Sequence, residues 1–365
     1  MHSRHRLRWL SVGLVLTMAA LLSAGCGSSS SGGDKPAATG TTSKASDPNE
    51  VPPLPSFPPQ SGATTFTPVE PGSGKGLKIG YISLAEAAPF IHIVSESIKE
   101  QAKLAGAELV FCDAQNNATK ALDCAKTMKT AKVDGLINYQ ADAKAAAKIC
   151  AAGPDVPVIG LYIHQAPCEV SWLGADDSYA GQIAGQAVGN YFKTKFDCKY
   201  DGYVSLQAYE TGQLNTDRMN GYNKGFESVC GPIKNEKKIQ ASRVDEARTA
   251  FADVLTTLPG AHHIVVVGVD DDGILGSLAA AKTQGRVKDL YVSGQGADPS
   301  SWCEIKSNPQ WIGDTAYFPE KTGQSVVTNM IKLIKKETDV PKELFVPHTV
   351  VNGQNLEKYY QPRGC

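Results

Sequence analysis

The chain has no surplus of either charge, with 36 Lys+Arg against 37 Asp+Glu, so it lacks the basic excess that contact with a nucleic acid backbone requires. After the first 22 residues it has no apolar run approaching about 18 residues, and no further membrane span is expected. There is no Cys-x-x-Cys and no histidine pair at helical spacing beside the cysteines, which removes the usual metal-site patterns; neither metal nor cofactor is expected. Gly-x-Ser-x-Gly and His-Glu-x-x-His are absent, as is any signature nucleophile followed by a base, so an enzyme is not expected. A paired-carboxylate glycosidase needs no motif and remains a less favoured alternative. Gly72-Ser-Gly-Lys75-Gly76 has the look of a phosphate loop, but no Ser or Thr follows the lysine and no strand precedes it.

What is present begins with three arginines, Arg4, Arg6 and Arg8, an apolar run from Trp9 to Leu22, and small residues Ser23, Ala24 and Gly25 before Cys26. That is a signal peptide in three parts, over residues 1–25. The stretch Leu22-Ser23-Ala24-Gly25-Cys26 resembles the bacterial lipobox, in which the cysteine thiol takes a diacylglycerol and becomes the new N-terminus. It departs from the usual pattern at Ser23, where a large aliphatic residue is common, with Leu22 one place further out. The expectation is a lipoprotein held at the cell membrane, on its outer side, through Cys26. Without the three leader arginines the balance is 33 against 37, or about −4. Residues 26–76 are Ser/Gly-rich and then Pro-rich, a composition that buries no core. They are expected to be a disordered tether with a reach on the order of 40 Å.

Eight further cysteines, an even number in an exported chain, favour disulfides: Cys112, Cys124, Cys150, Cys168, Cys198, Cys230, Cys303 and Cys365. Sequence leaves the pairing open. Nearest-neighbour bridges, 112 to 124, 150 to 168, 198 to 230 and 303 to 365, are expected, because each ties an element to the next segment of its layer.

From Leu77 onward short apolar runs alternate with amphipathic stretches. Strands are expected at 77–84, 108–111, 135–139, 156–161, 203–206, near 239, and at 263–267, 290–293 and 311–316. Helices are expected after Ile91, with Ile91, Val94, Ile98 and Ala102 on one face, and at 118–131, 142–151, 179–192, 218–229, 246–258, 274–282 and 321–336. Strands separated by helices of 10 to 15 residues call for parallel sheets with right-handed crossovers, an α/β fold. The nearly 290 residues from 77 to 365 suffice for two such doubly wound domains, with a single large sheet as the alternative. Ligands bind such sheets beyond the carboxyl ends of their strands.

Several segments appear in the order found in one family. They are Lys78-Ile-Gly-Tyr-Ile-Ser83 followed by Ala88-Pro89-Phe90, Glu108-Leu-Val-Phe-Cys-Asp113 followed by Ala114-Gln115-Asn116-Asn117, Val133-Asp134-Gly-Leu-Ile-Asn138, and Val156-Pro157-Val-Ile159. Further on come Leu173-Gly174-Ala-Asp176-Asp177, Arg218-Met-Asn-Gly221-Tyr222 and Asp270-Asp-Asp-Gly273 with Leu275-Gly276. Together they resemble periplasmic sugar-binding proteins of the ribose-binding type, the type I periplasmic binding proteins. The resemblance covers about residues 77–350. It implies two Rossmann-like lobes with parallel sheets, joined by three crossings and closing like a hinge on a small molecule. Carried onto this chain, lobe one is 77–175 plus 318–345 and lobe two 176–317 plus 346–365. It also implies a monomer that delivers its ligand to an ABC permease, with a sensory receptor for a membrane signalling partner as the alternative.

Sites of this type hold hydroxyls with carboxylates and Arg and stack aromatic rings on sugar faces. On this resemblance the candidate ligand residues are Ser83, Phe90, Tyr162, His164, Tyr209, Arg218, Asp270, Gln295 and Tyr317. Arg218 is expected to open a helix, and Asp270 is equally suited to capping one. Where the family places an Asp-Arg pair after the fourth strand, this chain has Tyr162 and Ile163; a later Asp is replaced by Gly296 and a Gln by Tyr317. The expected pocket is therefore more aromatic and less charged, suited to a sugar-like or polyol ligand with a flat or apolar part.

Overall fold

The alternation of strand and helix produces two six-stranded sheets in the computed structural model, which describes residues 51–365 apart from positions 141 and 143. The leader, Cys26 and the first half of the tether lie outside the described residues. In lobe one, β1 (Lys78–Ser83), α1 (Pro89–Ala105), β2 (Glu108–Asp113), α2 (Ala118–Ala131), β3 (Gly135–Asn138), α3 (Ala146–Ala152), β4 (Val158–Leu161) and β5 (Glu169–Gly174) follow in sequence. The remaining strand, β11 (Glu343–Phe345), completes a wholly parallel sheet in the order β11-β5-β4-β3-β1-β2. Lobe two runs α4 (Asp177–Phe196), β6 (Gly202–Gln207), α5 (Gln213–Cys230), β7 (Glu236–Gln240), α6 (Val244–Thr256), β8 (Ile264–Gly268), α7 (Asp271–Thr283), β9 (Leu290–Gly296), α8 (Trp302–Ser307) and β10 (Trp311–Ala316). Its sheet has the order β12-β10-β9-β8-β6-β7, with β12 (Thr349–Val351) antiparallel at the edge. Helix α9 (Thr322–Ile334) returns to lobe one, so the chain passes between the sheets at 175–176, 317–318 and 346–348.

Local chemistry sets the boundaries. Pro89 opens α1, Gly106 at φ 69° closes it, and Ile91, Val94, Ile98 and Ala102 are buried on one face. Asn117 caps α2 by accepting from the amides of Thr119 and Lys120. Helix α3 starts later than its pattern suggests, because the Asp142 carboxylate accepts from the Lys144 and Ala145 amides and holds a turn there. Helix α5 starts earlier, at Gln213. A short 3-10 turn and Gly212 at φ 63° redirect the chain, so Arg218 lies in the second turn of the helix and does not open it.

Each sheet is filled by β-branched and aliphatic residues, Ile79, Ile137, Ile159 and Leu161 in lobe one and Val204, Ile264, Val266 and Val292 in lobe two. Helices α4 and α5 approach so closely that a Cβ at Gly181 would lie 2.1 Å from the Arg218 carbonyl oxygen. That contact sets the height of Arg218 against the start of α4. The disulfides pair Cys112 with Cys124, Cys150 with Cys168, Cys198 with Cys230, and Cys303 with Cys365.

One expectation is overturned: residues 51–76 do not hang free. Val69 is buried, Phe66 packs on the cores of both lobes, and Ala63 bridges to Phe345 at the edge of lobe one. Proline supplies no amide donor, but the carbonyls and the few apolar side chains of this segment find partners on the folded surface. Among the described residues no helix is long and apolar enough to cross a membrane.

Candidate functional site

The carboxyl ends of both sheets bring charge and aromatic rings together around Arg218. Its Nε donates to Asp177 Oδ1 at 2.7 Å and its Nη1 to the Val269 carbonyl at 2.9 Å, while the guanidinium carbon lies 4.8 Å from the Tyr317 ring centre. The ion pair is nearly closed to solvent, with 11% of the Arg218 side chain and 15% of the Asp177 side chain exposed. Burial drives the Asp177 carboxyl above its ordinary pKa, and the opposing pull of the guanidinium only partly offsets this. Burial also pushes the Tyr317 phenol well above its usual range, so at neutral pH Tyr317 holds the cation through its ring face and not through charge. The Tyr317 hydroxyl donates to Gln295 Oε1 at 2.7 Å, and the Gln295 side-chain nitrogen, also buried, has no partner.

Asp270, one residue past the Val269 carbonyl that Arg218 holds, caps α7 by accepting from the Gly273 amide at 3.0 Å. Burial raises its carboxyl to about 8. It is the helix cap that the sequence also allows, placed close to Arg218.

On the lobe-one side, Phe90 meets Tyr162 edge to face with ring centres 5.7 Å apart and Tyr317 at 6.5 Å. Tyr162, at φ 57°, lies 5.3 Å from the Tyr139 ring, and its hydroxyl shares a hydrogen bond with Thr322 at 3.1 Å. The result is a continuous aromatic layer, Tyr139, Tyr162, Phe90 and Tyr317, ending on a buried cation.

Phe90, Tyr162, Arg218, Asp270, Gln295 and Tyr317 are thus brought together, and three candidates are not. Ser83 is buried beside α1, where its hydroxyl donates to Glu86; Ser95 donates to the same carboxylate, and His92 lies 3.3 Å away. Burial alone would raise the Glu86 carboxyl, but these partners hold it below its usual value. His164 is mostly exposed, stacks on Trp172 at 4.6 Å and pairs with Glu169 at 2.7 Å, both on β5. Tyr209 is exposed on the turn after β6.

The sequence reading omits three residues that belong here. Asp177 follows the cap residue Asp176 in the first crossing, and Tyr139 follows β3. His348, in the third crossing, is buried: its Nε2 accepts from the Asp176 amide at 3.1 Å and its Nδ1 faces the Ala316 carbonyl at 3.3 Å. Its ring lies 4.6 Å from that of Tyr317, and burial lowers its pKa to about 3. His348 thereby ties together all three crossings in its neutral form, donating from Nδ1. The signal available was position alone, since each residue immediately follows a strand or lies at a crossing.

Two surface cavities lie away from this cluster. One, of about 220 Å³, is lined by Val51, Lys306, Trp311 and Asn352 among others; the second, of about 470 Å³, lies over Lys237 and Val254. Neither touches Arg218 or the aromatic layer. Among the described residues no group of three or more His, Cys, Asp or Glu is placed to hold a metal ion.

Residues 79–338 match the family described as periplasmic binding protein domain. The ribose import binding protein RbsB of Salmonella typhimurium is 26% identical over 254 residues, covering 68% of this chain and 82% of that protein. Among solved structures, an ABC transporter solute binding protein from Mycobacterium smegmatis with bound glycerol superposes with a TM-score of 0.67 at 21% identity, covering 78% of this chain and 97% of that one. A periplasmic solute binding protein from Actinobacillus succinogenes with bound D-allose gives a TM-score of 0.67 at 17% identity, covering 78% and 100%.

Proposed function

The chain belongs to the periplasmic binding protein domain family, and from that premise we propose that it captures a small polyhydroxylated molecule between its lobes and presents it to an ABC permease. The observation that carries this reading is the convergence of Arg218, Asp177 and a four-ring aromatic layer where the carboxyl ends of the two sheets meet. Arg218 and Asp177 offer a donor and an acceptor for rim hydroxyls; the ring faces suit the apolar face of a pyranose or cyclitol, or a flat substituent. Asp270, kept protonated to about pH 8, adds a neutral donor and no second anion. The ligand is thus an uncharged sugar-like or polyol compound with an apolar or aromatic part, and the protein binds it without turning it over.

The lipobox-like Cys26 supports a lipid-anchored monomer outside the cytoplasmic membrane, held near its permease by the tether, which raises the local concentration for docking.

A thermal-shift screen of pentoses, hexoses, cyclitols, nucleosides and aromatic glycosides tests the reading. Ligand at about 100-fold over its Kd adds roughly 2.7 kcal/mol, a rise of about 4 °C for a domain of this size. Absence of a shift with every class would refute capture of such compounds. Tight calorimetric binding of ribose, galactose or glucose would leave capture standing and refute the aromatic or apolar requirement. Mass spectrometry of the membrane-extracted protein settles the anchor, since an unmodified Cys26 removes it.

A further inference from the structure

Residues 51–66 cross the hinge and touch both lobes. At the lobe-two end, Leu54 and Phe57 pack on Ile183, Ala187 and Val350, the Val51 carbonyl accepts from Gln354, and the Pro58 carbonyl accepts from the Tyr179 hydroxyl at 2.7 Å. At the third crossing the Gln60 side chain holds the backbone from both sides, donating to the Val346 carbonyl at 3.0 Å and accepting from the His348 amide at 2.8 Å. At the lobe-one end, the Thr64 amide donates to the Phe345 carbonyl at 2.8 Å, Ser325 donates to the Thr65 carbonyl, and Phe66 lies 6.1 Å from Phe318 in the second crossing.

We propose that this segment is a hinge clasp: it holds the two lobes at their present angle and joins the tether mechanically to the ligand site. A rotation of one lobe about the crossings cannot preserve the Tyr179, Gln60 and Phe345 contacts together, because they lie on lobe two, the crossing and lobe one in turn. The route to the site is short. Gln60 holds the His348 amide, the His348 ring packs on Tyr317, and Tyr317 packs on Arg218. Strain on the tether, or release of the clasp, therefore acts on the crossing that supports the aromatic layer. The clasp operates whatever the identity of the ligand.

The test uses the full mature chain without ligand. Gln60→Ala removes the clamp on the crossing, and Tyr179→Phe, outside the strap, removes only the hydroxyl that holds Pro58. Small-angle scattering reads the lobe angle, and amide hydrogen exchange reads the His348 backbone. The expected result is a larger radius of gyration in both variants and about tenfold faster exchange at His348 in Gln60→Ala, equivalent to roughly 1.4 kcal/mol. Tyr179→Phe carries the test if Gln60→Ala does not fold. Scattering curves that superpose on wild type in every folded variant overturn the clasp, even where exchange is faster, since the strap would then merely cover the crossing.

Discussion

Replacing Asp314 by Asn should leave the protein less stable in acid and more stable in base, with the two stability curves crossing. Asp314 on β10 and Asp271 at the start of α7 are buried with their carboxyls facing each other beside Gly294, and Asp271 Oδ1 has no other partner, so a proton held on Asp314 is what can join them. Asp271 accepts from the Asp298 amide and the Ser301 hydroxyl, so it is the better-solvated carboxylate. Burial, then the Asp271 charge, push the Asp314 carboxyl well above its normal range, and the shared proton resides there. The folded chain thus keeps a proton that the unfolded chain loses near pH 4, and its stability falls by about 1.4 kcal/mol for each pH unit above that. Asn has no such proton. It still donates to Asp271 and accepts from the Ala297 amide, but it leaves the Trp311 indole N–H, now bonded to Asp314 Oδ2 at 3.1 Å, without an acceptor. That loss costs about 2 kcal/mol at any pH. The two effects cancel between about pH 5 and 6, and above that the variant should lead by an amount that grows with pH until the folded pair gives up its proton. Urea titrations at pH 4.5, 6, 7 and 8, followed by tryptophan fluorescence in a Trp172→Phe background so that Trp302 and Trp311 report lobe two, read the difference. Subtracting wild type from variant cancels the titrating groups distant from the pair, leaving Asp314 together with its partner Asp271. A difference that does not change with pH would refute the assignment of a retained proton to this pair.

Arg218→Lys keeps the charge but loses the Val269 bond and the planar stack on Tyr317, so calorimetry with any ligand identified in the screen should show affinity down at least tenfold, with the melting point lowered by a few degrees because the buried Val269 carbonyl loses its donor. Gly185→Ala places a Cβ 2.2 Å from the Tyr222 carbonyl oxygen and should force α4 from α5, costing about 3 kcal/mol or more in thermal unfolding. Removing the Cys303–Cys365 bridge frees a loop of 62 residues and should cost about 4 kcal/mol in denaturant titration, and reduction, which opens all four bridges, should cost more. His348, lowered to about 3 by burial, stays neutral in the folded chain while the unfolded chain takes up a proton below about pH 6.5. Wild type should therefore lose up to about 1.4 kcal/mol per unit as pH falls from 6.5 to 3, and His348→Gln should flatten that slope in the same assay.

The parts of the fold that sequence revealed are those governed by repeating local rules. Ile91, Val94, Ile98 and Ala102 share a helix face because 3.6-residue periodicity admits little else, and they are buried. Short edge elements escaped: β11 and β12 are three residues each, too brief for any period, and they exist because neighbouring strands offer open edges. Residues 51–76 were misread for a related reason. Composition reports that a segment cannot make its own core, and says nothing about whether it can borrow one. At the candidate site, Phe90 and Arg218 were suggested by ordered motifs and Tyr317 by a departure from them. Asp177 was not, because an aspartate beside a helix cap looks like a cap, and only the glycine-mediated approach of α4 to α5 turns it into the partner of Arg218. His164 misled because chain position placed it near the cleft, whereas Trp172 and Glu169 on β5 hold it away from the aromatic layer.

The site as it stands has already used much of its bonding capacity on itself. Arg218 serves Asp177 and Val269, Tyr317 serves Gln295, and Tyr162 serves Thr322. A ligand hydroxyl therefore competes with bonds the protein makes internally, and each exchange yields far less than a new hydrogen bond would. Contacts that cost no internal bond are those with the ring faces of Phe90, Tyr139 and Tyr162 and with the unpartnered Gln295 amide nitrogen. Discrimination should then lie mostly in the part of the ligand that meets those rings, where burying apolar surface is rewarded at about 25 cal/mol per Å² and nothing has to be broken first. Two compounds alike in their hydroxyls but differing in an apolar face should separate widely in affinity, and two differing by one rim hydroxyl should separate little.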